Sequence, residues 1–152
     1  MDDQIDQFLL KVRPHLLSSM ERDDALRLLA DEAAAGLGDI APELIYKDAS
    51  ERERVETTYI GMGLAVPHAR VEGLQRAAVY VAFSQAGIPW PHEEAHFIAL
   101  LVVPWESPEM HLQLLARLVR WRRSHTEAET CVLAEYPDQL AESLNEAFAD
   151  LI

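Results

Sequence analysis

Cysteine is almost absent from the 152 residues: Cys131 stands alone, which excludes an intramolecular disulfide and any multi-cysteine zinc site. It reads as a buried thiol without a special role. No apolar run approaches the roughly 18 residues of a membrane span, so no direct membrane insertion is expected. The start, Met1-Asp2-Asp3-Gln4-Ile5-Asp6, is acidic where a secretory signal is basic, and the expected location is cytoplasmic. Positive charge is scarce. Thirteen Lys and Arg face 26 Asp and Glu, a formal net charge of -13, and a phosphate backbone is repelled over most of such a surface. General nucleic-acid binding is thereby excluded. Internal repeats, low-complexity tracts and linkers are also missing. With 49% hydrophobic residues the chain has the material for one good core, and one domain over residues 1–152 is expected.

What is present reads as helices, then strands, then helices. Residues 20–35 are rich in helix formers, Ser18 and Glu21 have the spacing of a capping box, and Gly36 and Gly38 follow as stops. Pro42 opens a second predicted helix that runs to about Val55. Two glycines permit tight turns at Gly61 and Gly63, and residues 64–66 suit a short strand that leaves His68 at a rim. The Val-rich runs 77–83 and 97–103, bounded by Gly87, Pro89, Pro91 and Pro104, predict two buried strands. Ser107-Pro108 reads as an N-cap with Pro at the first helical position, His111 falls in the first turn, and Leu112, Leu115, Leu118 and Val119 form a predicted apolar stripe. Thr126 with Glu129, then Leu140, Leu144 and Phe148 after Pro137, predict two closing helices. An α/β layer structure follows, with chemistry expected on loops at strand ends.

Several motifs compete for that chemistry. Gly61-x-Gly63 lacks the third glycine or the Gly-Lys-Ser/Thr of a nucleotide loop. His92-Glu93-Glu94-Ala95-His96 is a literal H-E-x-x-H zinc-peptidase match, which needs both histidines on one face of a helix. Trp90-Pro91 before it and the predicted strand after it place it instead on a turn between strands, so the peptidase reading ranks last. Trp90, Trp105 and Trp121 read as packing residues. Arg70, two residues after His68, is a weaker candidate for that chemistry, since it equally suits a surface ion pair with Glu72 or no pairing at all.

One joint pattern remains. Arg52-Glu53, Thr57-Thr58 and Gly61-x-Gly63-x-Ala65-Val66-Pro67-His68 resemble, without a gap, the active-site signature of mannitol/fructose-type enzyme IIA domains of the bacterial sugar phosphotransferase system, a family that includes a nitrogen-regulatory branch. The resemblance continues in Gly87-Ile88, Pro104, His111-Leu112 and Leu115, and covers about residues 8–149. It implies a three-layer α/β/α sandwich with a mixed central sheet. It also implies that His68 accepts a phosphoryl group from an HPr-like phosphocarrier protein and passes it to a IIB domain, with His111 beside it and no cofactor or metal. Ala69 stands where many transport members have glycine, so a regulatory module that signals its phosphorylation state to a target protein is the competing expectation.

The chemistry is sound independently of the family. Neutral imidazole is a competent nucleophile near pH 7, and the phosphoimidazole it forms is a good leaving group. The remaining residues have to align the ring and offset charge on the phosphoryl oxygens, which suits Arg52, His111 and Thr58.

Overall fold

The computed structural model describes residues 8–13, 20–91, 93–107 and 109–149; for residues 8–13 it gives the backbone path. Among them six strands make one mixed sheet between two layers of helices. The chain runs β1 (Phe8–Arg13), α1 (Arg22–Leu37), α2 (Pro42–Val55), β2 (Tyr59–Gly61), β3 (Leu64–Ala65), β4 (His68–Val71), β5 (Ala77–Trp90) and β6 (Glu93–Pro104). It closes with α3 (Glu109–Arg123), α4 (Glu127–Ala134) and α5 (Pro137–Phe148). The sheet order is β1-β5-β6-β3-β2, with β1 parallel and β6 antiparallel to β5.

Two central strands explain why the sequence shows continuous apolar runs and not alternation: both faces of β5 and β6 are covered. Ala78, Tyr80, Ala82, Ile98, Leu100 and Val102 join the core under α1 and α2. Their neighbours Val79, Val81, Phe83, Ala99, Leu101 and Val103 join the second core, with Leu114, Leu118, Leu140 and Leu144 of the C-terminal helices. Strand period two sends successive side chains to opposite layers.

Along the other edge of β6, β3 and β4 lie end to end, both parallel to it: Leu64 and Ala65 face Phe97 and Ile98, and His68 to Val71 face Leu101 to Pro104. Pro67 interrupts the ladder because it has no N–H to give. Its carbonyl still accepts from Leu101 N at 2.9 Å, and Val66 N donates to Thr58 O at 3.1 Å, so the break is held on both sides. His68 is the first residue after it.

Several sequence expectations change in detail. α1 starts at Arg22 with a reciprocal cap between Glu21 and Asp24, whereas Ser18 lies outside the described residues. Gly36 stays helical, and Gly38, at φ 78, is the stop, its N–H donating to Ala34 O at 2.9 Å. Gly87 and Pro89 do not end β5. The strand passes them through a register shift between Phe83 and Ile88, where Gly87 adopts φ 89 and relieves the ladder by a bulge. The buried side of α3 is Leu114, Leu118 and Trp121, spaced four and three apart, which turns Leu112 outward at 58% exposure. Pro108 of the expected cap lies outside the described residues. Cys131 is exposed, not buried, because α4 packs through Thr130 and Ala134, one helical turn apart, and leaves position 131 on the solvent side.

Candidate active site

β4, α2 and α3 converge on one cleft of about 380 Å³. On β4, Ala69 and Val71 enter the core under α1 and α2, so His68 and Arg70 leave by the opposite face. α2 presents Asp48, Glu51, Arg52 and Val55, one stripe at helical spacing, while its Ile45, Ala49 and Glu53 point inward. The first turn of α3 supplies His111, and Trp105, just past the end of β6, closes the rim.

The rings of His68 and His111 stack with centroids 4.9 Å apart and planes 21° from parallel. His68 Nδ1 lies 3.4 Å from Val66 O. A carbonyl only accepts, so this contact requires the proton on Nδ1 and leaves a lone pair on Nε2. Burial lowers the imidazole pKa below its ordinary range, and the nearby His111 and Arg52 push the same way, against the Val66 hydrogen bond and the Glu53 carboxylate. A neutral, nucleophilic ring is thereby favoured near pH 7.

Arg52 lines the cleft, half-buried, and its Nη1 donates to Glu56 O at 2.8 Å, which holds the guanidinium back against the end of its own helix. Thr58 is placed differently from His68, His111 and Arg52. It is 7% exposed, and its hydroxyl donates to Glu53 Oε1 at 2.6 Å instead of reaching the cleft.

The acceptor in that bond, Glu53, is the residue sequence reasoning undervalued. It is buried, and its carboxylate collects Thr57 Oγ1 at 2.9 Å, Thr58 N at 2.7 Å, Thr58 Oγ1 and the Trp90 Nε1–H at 2.9 Å. Four donors converge on two oxygens, which ties the end of α2, and Arg52 with it, to the start of β2 and the far end of β5. The signal was available: a glutamate four and five residues before two threonines, at the end of a helix, is a local hydrogen-bond set.

Arg70 and Trp105 line the same cleft. Among the described residues Arg70 makes no ion pair with Glu72: its backbone N–H donates to Asp48 Oδ2 at 2.8 Å, and its guanidinium lies over Trp105. Trp90 and Trp121 are buried as expected, but Trp105 is 48% exposed.

The zinc-peptidase motif does not have the helix it needs. Residues 93–96 are extended in β6, His92 lies outside the described residues, and His96 Nδ1 contacts Ser84 O at 2.9 Å. Among the described residues no group of three or more His, Cys, Asp or Glu side chains is arranged to hold a metal ion. Nor is any described helix long and apolar enough to cross a membrane.

Residues 14–147 match the model of the family described as phosphoenolpyruvate-dependent sugar phosphotransferase system, EIIA 2. A fructose-specific EIIA component from Haloferax volcanii is 31% identical over 117 residues, 72% of this chain and 76% of that protein. A nitrogen regulatory protein from Klebsiella oxytoca is 27% identical over 128 residues, 81% of this chain and 78% of its own length. The matched stretch spans only 10%, 10% and 20% of three larger curated relatives, among them multiphosphoryl transfer protein 2 of Escherichia coli. Among solved structures, nitrogen regulatory protein IIA-Ntr of Neisseria meningitidis superposes with a TM-score of 0.71 at 16% identity, over 92% of this chain and 94% of that one. The complex of enzyme IIAMTL and phosphorylated enzyme IIBMTL from Escherichia coli gives 0.67 at 18% identity, over 91% and 99%. At such identities the structural likeness speaks for the fold: the α/β/α sandwich is that of mannitol-type IIA and IIA-Ntr.

Proposed function

Since the chain belongs to the EIIA 2 family of the phosphoenolpyruvate-dependent sugar phosphotransferase system, whose members are phosphoryl carriers, we propose that it carries a phosphoryl group on His68. The donor is an HPr-like phosphocarrier protein in the cytoplasm and the acceptor a IIB domain. The observation that carries this reading is the stack of His68 on His111 inside a cleft that Arg52 also lines.

In the step itself the Nε2 lone pair of His68 attacks the phosphorus of the donor's phosphohistidine. One N–P bond forms as the other breaks, and the donor imidazole leaves with the bonding pair. The donor ring takes up one proton, and the His68 ring, whose Nδ1–H faces Val66 O, has one to release. Arg52 offsets the charge on the phosphoryl oxygens, and His111 offers a ring N–H from beside the helix start, where backbone N–H groups favour anions. Thr58 supports the site from behind, through Glu53. Val55, 83% exposed on the cleft rim, suits a protein partner that covers the cleft during transfer.

Phosphorylated HPr incubated with the wild-type protein and with His68→Ala tests this directly, with intact mass and acid lability as readouts. An acid-labile gain of one phosphate in the wild type, missing in His68→Ala, supports the carrier. No gain in the wild type sinks it.

A second reading is favoured by the nitrogen regulatory relative and by Ala69 after His68. Here the phosphorylated histidine reports a state by changing which target protein binds. Transfer from the phosphorylated chain to a IIB domain argues for the first reading, and a target bound in only one phosphorylation state argues for the second.

A further inference from the structure

Arg70 has an unusual environment for an arginine near a surface. Its guanidinium carbon lies 4.3 Å above the ring centroid of Trp105, and Nη2 donates to the Trp105 carbonyl at 3.3 Å. The backbone N–H is fixed as well, on Asp48. Side chain and main chain are therefore held at both ends, and the arginine head is not a free rotor. Nε–H is buried without a hydrogen-bond partner among the described residues, and of the four terminal N–H groups those residues engage one, on Nη2, so the tip of the guanidinium keeps donors to spare.

Position gives those donors a use. Arg70 follows His68 by two residues on β4, so the two side chains leave the same face of the strand and line the same cleft. The cleft also holds Asp48 and Glu51, in a chain with a net charge of -13. A phosphoryl group brings close to two further negative charges, and Arg52 alone leaves that local balance negative. Trp105 makes sense in the same picture: a half-exposed indole costs little as the platform for a cation and holds it without neutralising it.

We propose that Arg70, held against Trp105, is a second phosphoryl-binding cation of the His68 cleft, delivered from β4 as Arg52 is delivered from α2. This rests on the reading of His68 as the phosphoryl acceptor.

The test uses Arg70→Gln, Trp105→Leu and the double variant, each checked for an unchanged far-UV spectrum and melting curve. Single-turnover transfer from phosphorylated HPr is expected to slow about tenfold in Arg70→Gln, the scale of one lost charge-assisted contact. Trp105→Leu slows it less, and the double variant is no slower than Arg70→Gln, because the indole acts through the arginine. A wild-type rate in Arg70→Gln, or effects that multiply in the double variant, overturns the proposal. Millimolar inorganic phosphate, followed through the arginine Nε–Hε signals of the unphosphorylated protein, is an arm that needs no transfer. There the Arg70 signal moves in the wild type and moves much less in Trp105→Leu; an unmoved signal overturns the proposal. If HPr phosphorylates neither the wild type nor His68→Ala, the acceptor reading falls, and the phosphate titration still decides whether Arg70 binds the anion.

Discussion

His68 and His111 face each other ring on ring, 4.9 Å between centroids, although 42 positions separate them in the sequence. Burial is the main cause that holds the His68 imidazole below its ordinary pKa, and the neighbouring His111 adds to it. His68 therefore favours the neutral form that a nucleophile needs, before any partner arrives.

A pH titration of the His68 ring by NMR should give a midpoint below 6.5, the ordinary imidazole value. The sign of the linked stability follows. The unfolded chain takes up its proton near 6.5 and the folded ring resists, so the contribution of His68 is full above 6.5 and is lost as the pH falls through the folded midpoint. His111→Ala removes one lowering influence and should move the midpoint upward. A midpoint at or above 6.5 in the wild type contradicts the electrostatic picture of the site.

Arg52→Ala should slow phosphoryl transfer by about 100-fold, the scale of losing one preorganised donor to a developing anion. Arg52→Lys keeps the charge but not the fork, and should recover only part of the rate. Neither should shift the melting temperature much, because the hydrogen bond that Arg52 makes to Glu56 O is exposed. Wild-type transfer in Arg52→Ala, read by quench-flow, removes Arg52 from the mechanism.

Much of this cleft was legible in the sequence because its chemistry sits in local motifs. Pro42 at the first position of α2 and Pro67 before His68 act through backbone rules that need no tertiary context. What was not legible depends on which way an element faces. Leu112, Leu115, Leu118 and Val119 make an acceptable helical stripe, and so do Leu114, Leu118 and Trp121; only the docking of α3 on β6 selects the second. Trp105 and Cys131 misled for the same reason, since burial belongs to the assembled layers and not to the residue type. For Arg70 the sequence leaves site residue and surface charge both open, because only the folded sheet brings Trp105 beside it.

That choice of stripe is open to measurement. Leu114→Ala, at a fully buried position, should cost about 2–5 kcal/mol in urea unfolding. Leu112→Ala, at a 58% exposed one, should stay within about 0.5 kcal/mol. Equal costs would mean that α3 is rotated about its axis relative to the sheet.

Glu53 offers a sharper contrast, because its two oxygens are not equivalent. Among the described residues Oε2 receives Thr57 Oγ1, Thr58 N and Trp90 Nε1, whereas Oε1 receives only the Thr58 hydroxyl. A hydroxyl is able to reverse its role and accept, but a backbone N–H and an indole N–H are not. Glu53→Gln therefore has a good solution: its oxygen takes the Oε2 place, and its NH₂ donates to Thr58 Oγ1. The cost is the loss of charge assistance, about 1–2 kcal/mol. Glu53→Ala instead strands the buried Thr58 N–H and Trp90 Nε1–H, at about 3–5 kcal/mol together. Chemical denaturation should resolve the two variants easily. A glutamine variant as unstable as the alanine variant would show that the network depends on the carboxylate charge and not on the count of donors, since only the charge distinguishes Glu53 from a glutamine placed in this way.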